Sequence, residues 1–133
     1  MTDLLTPAPS LTQLSEEERL FRASVRNFAE TEIAPRVRDM EEQGAIPRAL
    51  VDQLFDLGVM AIEIPETFGG AGGTFFLSVI AVEELSRVDP SVAVLVDVQN
   101  TLVVNALVKW GSVDVQQRFL TALAAGTIGA YAL

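Results

Sequence analysis

Residues 91–108 read SVAVLVDVQNTLVVNALV and form the most apolar stretch of the chain. Asp89 and Pro90 precede it as a helix cap and a first helical residue. A helix of this composition is apolar nearly all round, so other elements must cover it. Asp97 lies near its middle, and a charge at mid-span is costly in lipid. We therefore predict a buried core helix and no membrane span.

Helix start and stop signals on both sides of this stretch predict an all-α protein. Ser15 and Glu18 are spaced as a capping box, Pro35 should kink the helix that follows, and Gly44 should end it. The predicted helices run from Ser15 to Gly44, from Pro47 to Gly58, from about Thr74 to Val88, from Pro90 to about Trp110 and from Ser112 to Gly126. The fold class is thus an up-and-down bundle of about five helices.

The last seven residues, Thr127 to Leu133, have the composition of an apolar strand. Nearly everything before them is predicted helix, so this strand has no partner within the chain, and folded proteins avoid an unpaired apolar edge. We therefore expect the first part of a larger protein. It comprises a flexible leader over 1–10, a helical domain over 11–126 and the start of a missing β-barrel domain over 127–133.

Composition excludes several classes of function. Eighteen acidic residues against nine basic ones give a net charge of −9, which repels the phosphates of nucleic acids. The chain contains neither cysteine nor histidine, which excludes disulfides, thiol nucleophiles, histidine bases and the usual zinc sites, and we predict no metal. Residues 1–9 lack the basic start of a signal peptide.

Three polar patterns are weak candidates for a site. The glycines of residues 69–73 match no phosphate-binding motif and are interpreted as a flexible connection. Glu83 and Glu84 are adjacent on a helix and point about 100° apart, which favours a solvated or salt-bridged pair over paired catalytic carboxylates. Asp97, in the apolar helix, needs a partner if it is buried.

The polar side chains at residues 99–101 leave two alternatives open. Gln99, Asn100 and Thr101 are either a satisfied hydrogen-bond network of the core or part of a pocket wall. In the second case the apolar side of the wall would consist of residues on a similar helix face, by their spacing of three and four. These are Val94, Leu95, Val98 and Leu102.

An ordered set of short motifs resembles the N-terminal helical domain of acyl-CoA dehydrogenases, from about Leu11 to the end of the chain. The motifs are FAETEIAP at 28–35, LGVM at 57–60, IPETFGG at 64–70, EELSR at 83–87, DPS at 89–91, WGS at 110–112, QQRFL at 116–120 and GAYAL at 129–133. The segment QNTL at 99–102 is most similar to the short/branched-chain branch of that family.

The resemblance implies an FAD enzyme that removes two hydrogens across the α and β carbons of an acyl-CoA thioester, in fatty acid or branched-chain amino acid catabolism. It also implies a homotetramer, an electron-transfer flavoprotein as partner, and a location in the cytoplasm, or in the mitochondrial matrix of a eukaryote. Positions matching the acyl pocket are Val94, Leu95, Val98, Gln99 and Leu102, and positions beside the flavin are Tyr131 and Leu133.

No residue of the chain matches the catalytic base, so we expect this chain alone to be inactive. It would act with the remaining dehydrogenase domains or a second chain. Acyl-CoA oxidases and flavin monooxygenases share the implied architecture and stay alternatives, as does a stand-alone helical binding module. The sequence leaves open the acyl-chain specificity, the oligomeric state and the origin of the truncation.

Overall fold

The computed structural model describes residue 10 and residues 12–132, and within them five continuous helices account for almost all regular structure. The first helix, 16–43, is α-helical over Glu16–Phe28, π-helical over Ala29–Ile33, 3₁₀ over Ala34–Arg36 and α-helical over Val37–Gln43. The other four are Arg48–Asp56, Phe75–Ser86, Pro90–Trp110 and Val113–Ala124. A single 3₁₀ turn, Glu66–Phe68, interrupts the long connection before the third helix. The all-α, five-helix prediction is confirmed.

The helix ends lie where the local sequence signals place them. The Ser15 hydroxyl accepts from the Glu18 amide, and the Glu18 carboxylate accepts from the Ser15 amide, which completes the predicted capping box. Asp89 caps the fourth helix by accepting from the Val92 amide. Gly44 ends the first helix with a φ of +63°, a left-handed conformation that favours glycine.

Apolar side chains of the first four helices and of the connection after the second helix form the main core. Its largest members with no more than 1% exposure are Ile33, Leu50, Leu54, Met60, Ile62 and Leu85. A second, smaller cluster joins the fifth helix to the end of the fourth helix and to residues 61–68; its buried members are Ala61, Ile64, Val104, Leu120 and Leu123. The fifth helix therefore packs on a cluster of its own, beside the main core.

One ion pair ties the first helix to the third. Glu84 is only 3% exposed, and its two carboxylate oxygens accept from Arg26 Nε at 2.8 Å and Nη2 at 3.0 Å. This bond raises the pKa of Arg26 above its usual value. Glu83, the neighbouring carboxylate, is exposed. The sequence predicted that this pair is either solvated or salt-bridged. Glu84 is salt-bridged, because its buried carboxylate needs a cation.

The fourth helix is long and apolar enough to cross a bilayer by length and composition alone. Its buried side packs into the core through Val92, Ala93, Val96, Gln99, Asn100 and Val104. The opposite side keeps large apolar groups in solvent, with Val94 57% exposed and Trp110 87% exposed. The helix is thus a core helix, but the other helices leave one face of it uncovered.

The glycine-rich connection is ordered, unlike the flexible loop expected. Backbone amides of residues 70–73 donate to the carbonyls of Pro65, Ala61, Ile64 and Ile62, at 2.7–3.2 Å. A Cβ on Gly70 would overlap the carbonyl oxygen of Ile64, so the two backbones approach as only glycine permits. Because these amides already have protein acceptors, the connection is no phosphate cradle.

Residues 127–132, which we call the exit segment, are irregular and form no strand in the described part of the chain. The strand expected at Thr127 to Leu133 is therefore not seen here, because an extended segment becomes a strand only beside a ladder partner. Its assignment to a further β domain stays a prediction. Leu133 and the leader predicted for residues 1–10, apart from Ser10, lie outside the described residues.

Candidate functional site

The exit segment lies against the fourth and fifth helices and borders two neighbouring cavities that are open to solvent. The first, about 410 Å³ in volume, is almost entirely apolar. It is lined by Val103, Ala106, Leu107, Phe119, Ala122, Leu123 and residues 127–131. The second, about 310 Å³, is lined by Phe75, Thr101, Leu102, Asn105, Ala106, Lys109, Trp110 and Tyr131. Ala106 and Tyr131 contribute to both cavities, so the exit segment shapes the whole region.

Gln99 holds the exit segment through both atoms of its amide. Its Nε2 donates to the carbonyl oxygen of Thr127 at 3.0 Å, and its Oε1 accepts from the amide of Gly129 at 2.7 Å. The side chain of Gln99 is completely buried. Its polar atoms are therefore engaged by the backbone, which is the satisfied-network alternative of the sequence analysis.

Asn100, the next residue, holds a different segment. Its Oδ1 accepts from the amide of Ile62 at 3.0 Å, and its Nδ2 donates to the carbonyl oxygens of Val59 at 2.8 Å and Val96 at 2.9 Å. Asn100 is also completely buried. Both amides lie in the π-helical part of the fourth helix, Val98–Val104. Two consecutive side chains thus organise the connection after the second helix and the exit segment.

The apolar candidates for a pocket wall are divided between two faces of the fourth helix. Val94 and Leu102 are 57% and 42% exposed and lie on its uncovered face, with Val98 half-buried between them. Leu95 packs against the main core. Leu102 also lines the second cavity, as does Tyr131. The geometry therefore groups three of the four apolar candidates on one accessible stripe.

The cofactor-side candidates are only partly described. Tyr131 lies in the exit segment with 49% of its surface exposed and faces both cavities. Leu133 is outside the described residues. Asp97, the carboxylate questioned in the sequence, accepts a 2.8 Å hydrogen bond from the Thr101 hydroxyl one turn along the helix. It is half-buried with that partner.

A polar group that the sequence analysis missed lies beside the second cavity. Glu63 accepts from the buried Ser78 hydroxyl at 3.0 Å and from Asn105 Nδ2 at 3.2 Å. Burial raises the pKa of Glu63, and the two hydrogen bonds and the charge of Lys109 partly oppose that rise. Glu63 stands between apolar residues in an irregular connection, so no periodic pattern singled it out.

The described residues do not by themselves form a complete site for FAD. Tyr131 offers an aromatic ring, but the amides of residues 70–73 are used within the protein, which leaves that glycine loop no donors for a diphosphate. No group of three or more metal-ligating side chains occurs in the described ranges. If FAD is bound, the rest of its site must come from residues other than these.

Comparison with known proteins gives consistent matches. Residues 15–127 match the family described as acyl-CoA dehydrogenase, N-terminal domain. The chain is 43% identical over 123 residues to the "Probable short/branched chain specific acyl-CoA dehydrogenase" of Dictyostelium discoideum, covering 92% of this chain and 30% of that protein. It is 37% identical to the mitochondrial short/branched chain specific acyl-CoA dehydrogenase of Bos taurus, covering 89% and 27%.

The fold match is as clear as the sequence match. The structure of butyryl-CoA dehydrogenase from Megasphaera elsdenii superimposes with a TM-score of 0.78 at 28% identity, covering 86% of this chain and 30% of that one. The chain thus spans about 30% of the length of these relatives. On the family match over residues 15–127, the chain belongs to the acyl-CoA dehydrogenase N-terminal domain family.

Proposed function

We propose that this chain is the helical N-terminal part of an FAD-dependent acyl-CoA dehydrogenase acting on short or branched acyl-CoA thioesters. The observation that carries the proposal is the family match over residues 15–127. Relatives named for short/branched-chain substrates support the substrate class. None of its described residues is proposed as the catalytic base. The proposed role of the chain is to supply part of the wall of the acyl pocket and to position the exit segment.

The accessible stripe of the fourth helix is proposed as part of the acyl-pocket wall. Val94, Val98 and Leu102 present branched apolar side chains that can exclude water from an acyl tail. Leu95 supports this wall from the core side, and Gln99 lies behind it. Since the wall is only one side of a groove, the opposite side must come from other domains or from another chain.

The exit segment is proposed as the flavin-side edge. Bound FAD would supply the acceptor for the two hydrogens removed from the substrate. Tyr131 and Leu133 would contact one edge of it, and the exposed aromatic ring of Tyr131 supports that role. Electron balance requires a further acceptor to reoxidise the cofactor, and we propose an electron-transfer flavoprotein. A homotetramer and a mitochondrial matrix location in a eukaryote complete the proposal.

The first experiment is native mass spectrometry of the protein purified from its own source. We expect the 14.3 kDa chain within a larger flavin-containing assembly, either as a separate subunit or as part of a longer polypeptide. A flavin-free, lone 14.3 kDa species would contradict the proposal and favour the stand-alone binding module.

Substrate preference of that assembly tests the wall. Val94→Phe should fill the groove and lower kcat/KM for longer acyl-CoAs more than for the shortest one, by about tenfold if one turn of the wall is blocked. Val113→Phe is the matched control, because Val113 is another exposed valine, at the start of the fifth helix, with 71% of its surface exposed against 57% for Val94. Equal effects of the two substitutions would reject the assignment of Val94 to the acyl wall.

A further inference from the structure

The Gln99 amide meets the exit segment in the pattern of a neighbouring β-strand. In a parallel pair, a strand residue donates to one carbonyl and accepts from the amide two residues further along its partner. Gln99 does this with the Thr127 carbonyl and the Gly129 amide, although the exit segment has no strand partner in the described residues. We propose that Gln99 is the positioning residue of the exit segment and fixes where Tyr131 lies.

Burial makes this pairing effective. Gln99 itself has no exposed surface, and its two hydrogen bonds are partly buried, so water competes for them less than at the open surface. The bond from the Gly129 amide, at 2.7 Å, is at the short end of the usual range. Releasing the exit segment would break both of these hydrogen bonds at once, which opposes the release.

Gly129 is the second component of the device. A Cβ on this residue would lie 2.5 Å from Cγ1 of Val103, and valine has little freedom to turn away. Val103 follows Gln99 by four positions in the π-helical part of the fourth helix and also lines the larger cavity. The missing side chain at residue 129 therefore lets the backbone reach the Gln99 amide.

The device has a functional consequence through Tyr131, two residues beyond Gly129. Because Tyr131 is so near in the chain, its position depends on where Gly129 is held. Tyr131 in turn contributes to both cavities. This consequence rests on the proposed function, which puts Tyr131 at the flavin edge. Gln99 would then influence cofactor and acyl groups from behind, through the exit segment, without contacting either.

Amide hydrogen exchange on the 133-residue chain, without flavin or substrate, tests the device separately from the proposed function. In Gln99→Met, which keeps the side-chain length, the Gly129 amide should exchange at least about fivefold faster. The amides of Val104 and Leu120, in the second cluster, should keep their wild-type rates. Gln117→Met, an exposed glutamine of the fifth helix, is the control and should leave Gly129 unchanged.

Two results would overturn the inference. One is a Gly129 exchange rate in Gln99→Met equal to that of the wild type or of the Gln117→Met control. The other is acceleration spread equally over Val104 and Leu120, which indicates a purely structural core residue. If Gln99→Met does not fold, Gly129→Ala carries the test. It should shift the side-chain amide resonances of Gln99, and unshifted resonances would reject the pairing.

Discussion

Replacement of Asn100 by leucine should destabilise the protein far more than its size change suggests. Leucine has the same branched shape but is bulkier, and it removes the acceptor for the Ile62 amide and the donor for the Val59 carbonyl. Both of these backbone groups belong to completely or almost completely buried residues. Their partner lies about forty positions away in the chain, so no neighbouring residue of the same connection replaces it.

The magnitude follows from the two groups left unpaired. A buried donor or acceptor without a partner costs about 1–3 kcal/mol, so the pair costs about 2–6 kcal/mol. The third bond of Asn100, to the Val96 carbonyl, lies within its own helix and is left out of this sum. A domain of this size has a total stability of about 5–15 kcal/mol, so the variant should lose a large fraction of it.

Urea unfolding followed by far-ultraviolet circular dichroism measures the effect. Asn27→Leu is the control, since Asn27 lies exposed on the first helix and the same chemical change occurs there in water. We expect the free energy of unfolding to fall by about 4 kcal/mol for Asn100→Leu and by less than about 0.5 kcal/mol for the control. A loss below about 1 kcal/mol at Asn100 would refute the reasoning that this amide organises the connection.

Two further stability predictions follow from the same region. Burial raises the pKa of Glu63, so the contribution of Glu63 to stability is greatest at low pH and is lost as pH rises through its folded-state pKa. Glu63→Gln should therefore gain stability relative to the wild type as pH rises from about 4 through the folded-state pKa of Glu63, and a difference independent of pH would contradict this. Gly70→Ala should cost about 1–3 kcal/mol, because its Cβ overlaps the Ile64 carbonyl. If Gly70→Ala has the same urea midpoint as the wild type, the connection can shift to make room for the Cβ, and the prediction is wrong.

The helices were predictable because their signals are local. Ser15 and Glu18 are three residues apart, and Asp89 stands directly before Pro90, so short-range hydrogen bonds alone set these helix ends. Pro35, where the sequence predicts a kink, lies at the change from π-helical to 3₁₀ geometry around residue 34. A salt bridge was one of the alternatives predicted for Glu84. Its partner Arg26 could not be predicted, because it lies 58 positions away in the chain.

The roles within the site were less predictable because they depend on long-range contacts. Gln99 and Asn100 are adjacent amides in the sequence, yet one holds residues 127–129 and the other holds residues 59–62. The 3.6-residue period of an α-helix does not indicate a π-helical segment. The positions of these side chains could therefore not be predicted from their spacing in the sequence. The order of the glycine loop was also not predicted. The carbonyl acceptors of its amides lie several residues earlier in the chain, and no local pattern indicates that pairing.

The uncovered face of the fourth helix also determines how the protein behaves in solution. Trp110 and Val94 place large apolar surfaces in water, and such surfaces on many molecules attract one another. The net charge of −9 keeps the molecules apart at neutral pH. That repulsion vanishes near the isoelectric point of about 4.3 and is screened by salt, so acidic, high-salt buffers should promote clustering through this face.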